Sequence, residues 1–168
     1  THSPMLISAN RSLDEYQRRG TVITDGQEVG SGPLMGVLAG LKYAQTEWLL
    51  VCPGDMPYLE QGWHEPIRQA VKQNPKKDPA QGNEQTGEQG GKQSRQFDCV
   101  VIHDGTRLQP LLSLIQTSCA DHLRAYLECG EFSVHQWLAS LRCATVSYKD
   151  TGQFLNINTL TELQDGRA

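Results

Sequence analysis

The 168-residue sequence predicts a three-layer α/β fold whose sheet is mostly parallel, with one antiparallel element. Short apolar runs of strand length alternate with amphipathic, helix-length segments through most of the chain. One pair of runs is joined by an Asp-Gly turn, which favours an antiparallel hairpin. We expect one domain over residues 1–168, because this length suits a single α/β unit with a sizeable core.

Three strands and two helices are predicted in the first part of the chain. The strand runs lie at 5–9, 21–24 and 48–52. A short polar helix follows the first run, and Pro33 opens a longer helix, since proline is favoured at the first helical position. Gly36 and Gly40 share one side of that helix, so a sheet or a ligand can approach its backbone closely there.

The second part of the chain begins with an amphipathic helix marked by Trp63 and Ile67. Residues 76–96 contain almost no apolar side chains, so we expect a disordered surface insertion there. The further strands are predicted at 99–102, 108–115, 143–148 and 154–158. The further helices are predicted at 121–129, 134–141 and from 159 onward.

Net charge, apolar runs and cysteine spacing exclude several classes of partner and site. The net charge of −4, without a basic tract, gives no electrostatic attraction to nucleic acid or to an anionic membrane. No run approaches the ~20 apolar residues of a membrane span, and no signal-peptide core opens the chain. The five scattered cysteines include no C-x-x-C pair, which argues against a disulfide framework and a thiolate zinc site. We therefore expect a cytoplasmic protein.

Asp55 is the strongest candidate for chemistry. It follows an apolar strand that Pro53 and Gly54 stop, and Pro57 restricts the backbone again. Ligands bind at the carboxyl ends of strands in open parallel sheets. A carboxylate there can hold Mg²⁺ while substrate phosphates and water complete the octahedron, or it can cap the next turn through backbone amides. The stiffened backbone on both sides favours the metal.

Other polar residues stand at strand ends. Asp25 ends the second strand, and Asn10 ends the first. The glycine loop 30–36 opens a helix but misses the G-x-G-x-x-G spacing by one residue, so a simple flexible turn stays open. Asn156 and Asn158 alternate in the last predicted strand and point the same way. They either satisfy a turn or face a ligand.

In order and spacing, several stretches resemble the molybdenum cofactor guanylyltransferases, the MobA family. They are 7–11, 22–25, 32–40, 50–57 and 156–163. The resemblance implies a Rossmann-like nucleotidyltransferase fold that joins GTP to molybdopterin, or to its molybdenum-bearing form, and releases pyrophosphate. Other molybdenum cofactor biosynthesis proteins are implied as partners.

The resemblance also implies site residues. Asp55 would be the catalytic residue that holds Mg²⁺. The nucleotide pocket would be lined by Asn10, Asp25, Gly32, Pro33, Leu34, Gly36 and Asp55. Asn156 and Asn158 would face the pterin or the metal. The pterin phosphate would attack the α-phosphorus in line, without a protein nucleophile.

One departure from the family is large. Its first strand and the glycine-, arginine- and lysine-bearing phosphate loop have no match in this sequence, so we expect the 168-residue chain alone to be weakly active or inactive. Two alternatives stay open. One is a cytidylyl- or other nucleotidyltransferase of the same fold, and the other is a non-catalytic partner-binding domain.

Overall fold

The computed structural model describes residues 4–24, 32–73, 97–148 and 152–154. The strands are β1 (Leu6–Ser8), β2 (Thr21–Ile23), β3 (Trp48–Val51), β4 (Cys99–His103), β5 (Leu108–Gln116) and β6 (Cys143–Ser147). The α-helices are α1 (Leu13–Gln17), α2 (Pro33–Tyr43), α3 (Glu65–Lys72), α4 (Ala120–Glu128) and α5 (Val134–Ala139). Two 3₁₀ helices cover Thr117–Cys119 and Gly152–Phe154. None of the described helices has the length and apolar character that crossing a membrane requires.

The described strands form two hydrogen-bonded sheets. β1 and β2 pair in parallel, with Ser8 opposite Ile23. The other four have the order β3-β5-β4-β6, in which β5 is antiparallel to both neighbours and β4 is parallel to β6. Since β5 opposes both β3 and β4, those two strands and β6 point the same way. The predicted hairpin is confirmed as β4–β5, and Gly105 in its turn has a φ of 97°.

Helix α2 packs across both sheets through its glycines. A Cβ atom at Gly36 would lie 2.6 Å from Ser8 Oγ, and one at Gly40 would lie 3.0 Å from a methyl carbon of Leu49. Ser8 belongs to β1 and Leu49 to β3, so a single helix covers the two sheets. The predicted close approach along the Gly36 and Gly40 side is therefore confirmed.

The core has two apolar clusters, one on each face of the four-stranded sheet, which confirms the three-layer prediction. β4 alternates between them, as the period-2 geometry of a strand requires. The first cluster contains Cys99 and Val101 of β4 together with Leu34, Val37, Leu38, Leu41, Ile115, Cys119, Leu123, Trp137 and Leu138. The second contains Val100 and Ile102 of β4 together with Met56, Ile67, Leu112, Leu114 and Phe154. Burying each large side chain contributes about 1.5–3 kcal/mol.

The helix ends follow local sequence rules. Ser133 begins α5 as predicted, and its Oγ accepts a hydrogen bond from the Gln136 N–H at 3.3 Å. Gly130 ends α4 with a φ of 79°.

Phe154, the first residue of the strand predicted at 154–158, lies in a 3₁₀ helix instead of a strand. Its ring packs edge-on against Tyr148. Residues 155–158 and the predicted insertion at 76–96 lie outside the described residues.

A long-range ion pair joins the beginning of β4 to the beginning of β6. The carboxylate of Asp98 accepts from the Arg142 backbone N–H at 3.0 Å and from its guanidinium Nε at 2.9 Å and Nη2 at 2.6 Å. The Asp98 side chain is only 20% exposed. Hydrogen bonds from Arg142 hold the pKa of Asp98 below its ordinary value of 3.8, against the opposing effect of burial.

Gly36→Ala is expected to destabilise the protein by about 1–2 kcal/mol, despite the better helix propensity of alanine. Rotation of Ser8 can move Oγ, but its Cβ would still lie 3.2 Å from the new methyl group, so β1 must shift. Chemical denaturation measures the change. Gly54→Ala is the control, because a Cβ there meets nothing within 4 Å. Equal stability of the two variants would contradict the packing described for α2.

Asp98→Asn is expected to lower the free energy of unfolding by about 1–3 kcal/mol at pH 7. The folded-state pKa is lowered, so the stabilisation is present above pH 3.8 and is lost as the pH falls through the folded-state pKa. The difference between wild type and variant should therefore shrink as the pH is lowered below 3.8 in denaturation experiments. Asp121→Asn, whose side chain is 86% exposed, is the control. A difference that is independent of pH would rule out this role.

Candidate functional site

Asp55 lies in the turn directly after β3, as the sequence predicts. The residue is half-buried, and its Oδ1 atom is buried without a hydrogen-bond partner among the described residues. Burying a carboxylate oxygen without a partner is costly, so natural proteins rarely leave one in that state without a reason. This oxygen is thus an acceptor available to a cation or to a ligand.

A second strand-end aspartate shows what a purely structural carboxylate looks like in this fold. Asp104 ends β4 and is 7% exposed. Its Oδ1 accepts from the backbone N–H groups of Thr106 at 2.7 Å and Arg107 at 2.8 Å, and its Oδ2 accepts from Gln109 Nε2 at 2.6 Å. These bonds, first of all the one from Arg107, hold the pKa of Asp104 below its ordinary value. Asp104 builds the hairpin, whereas Asp55 Oδ1 has no such donors among the described residues.

Chain direction relates the beginning of α2, where Gly32 and Gly36 lie, to the end of β3, which Asp55 follows. The connection at 44–47 returns the chain from the end of α2 to β3, so β3 runs back along the helix and ends near its beginning. Gly36 in the first turns of α2 lies against Ser8, the last residue of β1, and Asn10 follows two residues later in the chain. Gly32 precedes the helix with a φ of 67°.

The exposure of these residues differs. Asn10, Gly32 and Pro33 are exposed, and Gly36 is partly buried. Leu34 is completely buried and belongs to the first core cluster. Its predicted nucleotide contact stays untested. Asp25, Asn156 and Asn158 lie outside the described residues, so their predicted roles also stay predictions.

The loop after β3 offers no activated thiol. The pKa of Cys52 is raised, first by partial burial and second by the nearby Asp55 carboxylate. The Cys52 thiol donates weakly to the Pro53 carbonyl at 3.5 Å. Cys52 therefore stays protonated at neutral pH, which makes it a poor nucleophile.

Sequence reasoning missed two polar residues, one in the loop after β3 and one in the 3₁₀ helix that is hydrogen-bonded to that loop. The Tyr58 hydroxyl and Gln153 Nε2 are buried and have no hydrogen-bond partner among the described residues. Gln153 Oε1 accepts from the Glu60 N–H at 3.4 Å, which ties the 3₁₀ helix Gly152–Phe154 to the Asp55 loop, residues 52–60 after β3. No local pattern marks either residue, because their burial depends on segments that are far apart in sequence.

A cavity of about 560 Å³ lies elsewhere, between β2 and α2. Its lining is mostly apolar: Val22, Ile23, Thr24, Met35, Leu38, Ala39, Lys42 and Tyr43. None of these residues belongs to the Asp55 loop. We therefore locate the candidate chemistry at Asp55, where an unpaired buried oxygen stands at a strand end, rather than in this cavity.

The three-layer fold and a carboxylate at the carboxyl edge of its parallel strands define the class of α/β proteins that bind ligands at that edge. Comparison with known proteins narrows the class. The family model described as the MobA-like NTP transferase domain matches residues 2–146. The chain belongs to this family.

Relatives in the family are closely similar over most of the chain. The molybdenum cofactor guanylyltransferase of Cupriavidus pinatubonensis is 37% identical over 166 residues, which cover 98% of this chain and 75% of that protein. The protein of the same name from Shewanella sp. is 30% identical and covers 95% of this chain and 72% of its own length. This chain therefore spans about three quarters of the relatives' length.

Two solved structures share the fold. Molybdopterin-guanine dinucleotide biosynthesis protein A from Archaeoglobus fulgidus superposes with a TM-score of 0.67 at 18% identity, over 95% of this chain and 75% of that one. A putative protein from Aquifex aeolicus gives a TM-score of 0.65 at 17% identity, over 92% and 70% of the two chains. The predicted nucleotidyltransferase fold is thus confirmed.

The two strand-end aspartates should respond oppositely to neutralisation. Asp104→Asn should lower the free energy of unfolding by about 1–3 kcal/mol, because its new amide group cannot accept from Gln109. Asp55→Asn should leave metal-free stability unchanged or slightly higher, since no described donor is lost. Chemical denaturation in the presence of a chelator measures both. Destabilisation of Asp55→Asn by the same amount would indicate a structural cap instead of a ligand site.

Proposed function

We propose that this chain transfers GMP from GTP to a molybdopterin cofactor, releasing pyrophosphate and forming the guanine dinucleotide form. The names of its relatives in the MobA-like NTP transferase family support this activity. Within the chain, one observation carries the proposal. The buried Oδ1 of Asp55 has no partner among the described residues and stands at the edge where α/β folds bind nucleotides.

Asp55 fits a divalent cation, and we propose Mg²⁺. A hard carboxylate oxygen is the ligand type that this ion prefers, and Mg²⁺ in nucleotide sites is often held by one or two carboxylates with substrate phosphates and water. The described residues contain no group of three or more His, Cys, Asp or Glu side chains that could hold a metal by themselves. The remaining ligands would then come from the substrate and water, with Asn156 or Asn158 as further candidates. When bound, the ion neutralises the charge that develops on the phosphates.

We propose that the first turn of α2 binds a polar part of the nucleotide away from the cation at Asp55. The helix has 11 residues and begins with Pro33, and its N-cap residue Gly32 has no side chain to cap the first turn. The N–H groups of the first turn and the positive end of the helix dipole favour a phosphate or another polar acceptor there. In the proposed complex, Asn10, Asp25, Gly32 and Gly36 line the nucleotide pocket around this turn.

The reaction requires positioning more than covalent chemistry. The terminal phosphate of the pterin attacks the α-phosphorus of GTP in line, and pyrophosphate leaves on the opposite side. The chain's task is to orient both substrates along the edge formed by the β1, β3 and β6 ends and the first turn of α2. The protonated Cys52 thiol beside Asp55 is consistent with direct transfer. We propose that the protein acts in the cytoplasm and that other molybdenum cofactor biosynthesis proteins are its partners.

The decisive experiment follows pyrophosphate release from GTP and molybdopterin in single-turnover mixtures, with and without Mg²⁺. We expect slow release with GTP and Mg²⁺, because the family's phosphate loop has no match in this sequence, and little release with CTP. Asp55→Asn should lower the rate by a further factor of about 100, because it removes the charge that holds the metal. Asp121→Asn, a surface aspartate on α4, is the matched control and should behave as wild type.

The alternatives to this function predict different results in the pyrophosphate assay and in calorimetry. Preference for CTP would replace the guanylyl assignment with a cytidylyl one. Wild-type activity in Asp55→Asn would move the metal site elsewhere. If GTP, with or without Mg²⁺, neither bound in calorimetry nor reacted, a non-catalytic binding domain would be the better interpretation.

A further inference from the structure

The buried side-chain atoms that lack hydrogen-bond partners cluster around one loop. In the described part of the chain they are Asp55 Oδ1, Tyr58 Oη, Gln153 Nε2 and Ser113 Oγ. Asp55 and Tyr58 lie three residues apart in the loop after β3, and Gln153 is bonded to that loop through Glu60. Three of the four atoms therefore belong to one small region of the molecule.

Packing holds that region together. Met56, next to Asp55, and Phe154, next to Gln153, are members of the same apolar cluster. Gln153 is 4% exposed, so its amide has little access to solvent. The Glu60 N–H donates to Gln153 Oε1 at 3.4 Å, which leaves the Nε2 end of the amide as the unpaired end. The Gln153 amide is thus held by its oxygen, while its Nε2 group has no acceptor among the described residues.

The chemistry of the three atoms is complementary to one kind of ligand. Asp55 Oδ1 is an acceptor that attracts a cation, whereas the Tyr58 hydroxyl and the Gln153 amide nitrogen are donors that need acceptor oxygens. A phosphate group with its bound divalent cation presents both at once, a positive ion beside several oxygens. A purely apolar ligand would leave the donors unpaired, and a neutral ligand without a cation would leave the Asp55 carboxylate without a counter-charge.

We propose that Tyr58 and Gln153 are substrate-binding residues that donate hydrogen bonds to phosphate oxygens beside the cation held by Asp55. The inference rests on the proposed function and extends it to two side chains that no motif marks. A buried donor without a partner destabilises the free protein. Bound phosphate supplies the missing acceptors, so the free energy lost in the unliganded protein contributes to substrate affinity.

Tyr58→Phe tests the inference most cleanly, because it removes one hydroxyl and adds no charge. We expect the melting temperature of the ligand-free protein to stay the same or to rise, since no described hydrogen bond is lost. Affinity for GTP with Mg²⁺, measured by isothermal titration calorimetry, should fall about 10-fold, the usual effect of one lost hydrogen bond to a charged group.

Tyr126→Phe is the matched control. Its hydroxyl donates to the Ser133 carbonyl at 3.2 Å, far from the Asp55 loop in sequence, and so has a structural partner. This variant should melt at a lower temperature and bind GTP as wild type does. Gln153→Met gives a second test, in which affinity and ligand-free stability should both fall, because the bond to the Glu60 N–H is lost together with the free donor.

Two results would overturn the inference while leaving the proposed function intact. One is wild-type affinity in Tyr58→Phe, provided that wild-type binding requires Mg²⁺ and is lost in Asp55→Asn. The other is a lowered melting temperature in Tyr58→Phe like that of Tyr126→Phe, which would assign the hydroxyl a structural partner. Absence of GTP binding by the wild-type protein would instead overturn the proposed function, and this assignment with it.

Discussion

The contact between α2 and the two sheets is the constraint on which the arrangement depends. The two sheets share no hydrogen-bonded ladder in the described part of the chain, yet one helix lies on both. Only glycine at positions 36 and 40 lets the helix backbone come this close to Ser8 and Leu49. The large side chains of α2, such as Leu34 and Leu41, then pack with Trp137 into the first core cluster.

The packing of α2 also determines which chain segments lie near the candidate site. Because β3 runs back along α2, the end of β3 and the beginning of the helix meet at one edge. That edge carries the Asp55 loop and the first turn of α2, whose N-cap residue is Gly32. Close packing at the two glycines therefore also fixes how near the beginning of α2 lies to the strands.

The fold treats its polar groups in two different ways. Where a carboxylate builds structure, as Asp98 and Asp104 do, several donors surround it and its pKa is lowered. Around the Asp55 loop, buried acceptor and donor atoms are left without partners among the described residues. A protein accepts that loss of stability where a ligand restores it, because catalysis and binding need groups that are not already satisfied. The contrast separates the candidate site from the scaffold.

Local chemistry was sufficient for much of this fold. Pro53, Gly54 and Pro57 restrict the backbone around Asp55, and the Asp104-Gly105 turn specifies the β4–β5 hairpin, because both effects act within a few residues. The same holds for Ser133 as a helix cap. The alternation of strands and helices was enough to predict three layers, since period-2 and period-3.6 patterns each bury one face.

Other features depend on segments that are distant in sequence. The prediction of a strand at Phe154 was wrong for that residue, because its β-favouring side chain is packed by Tyr148 and the second core cluster instead of by a ladder. The division into two sheets, the Asp98–Arg142 pair across 44 residues and the burial of Tyr58 and Gln153 likewise have no local signal. The sequence by itself determined the elements and the position of Asp55. Only tertiary packing decided which polar atoms around it are left unpaired.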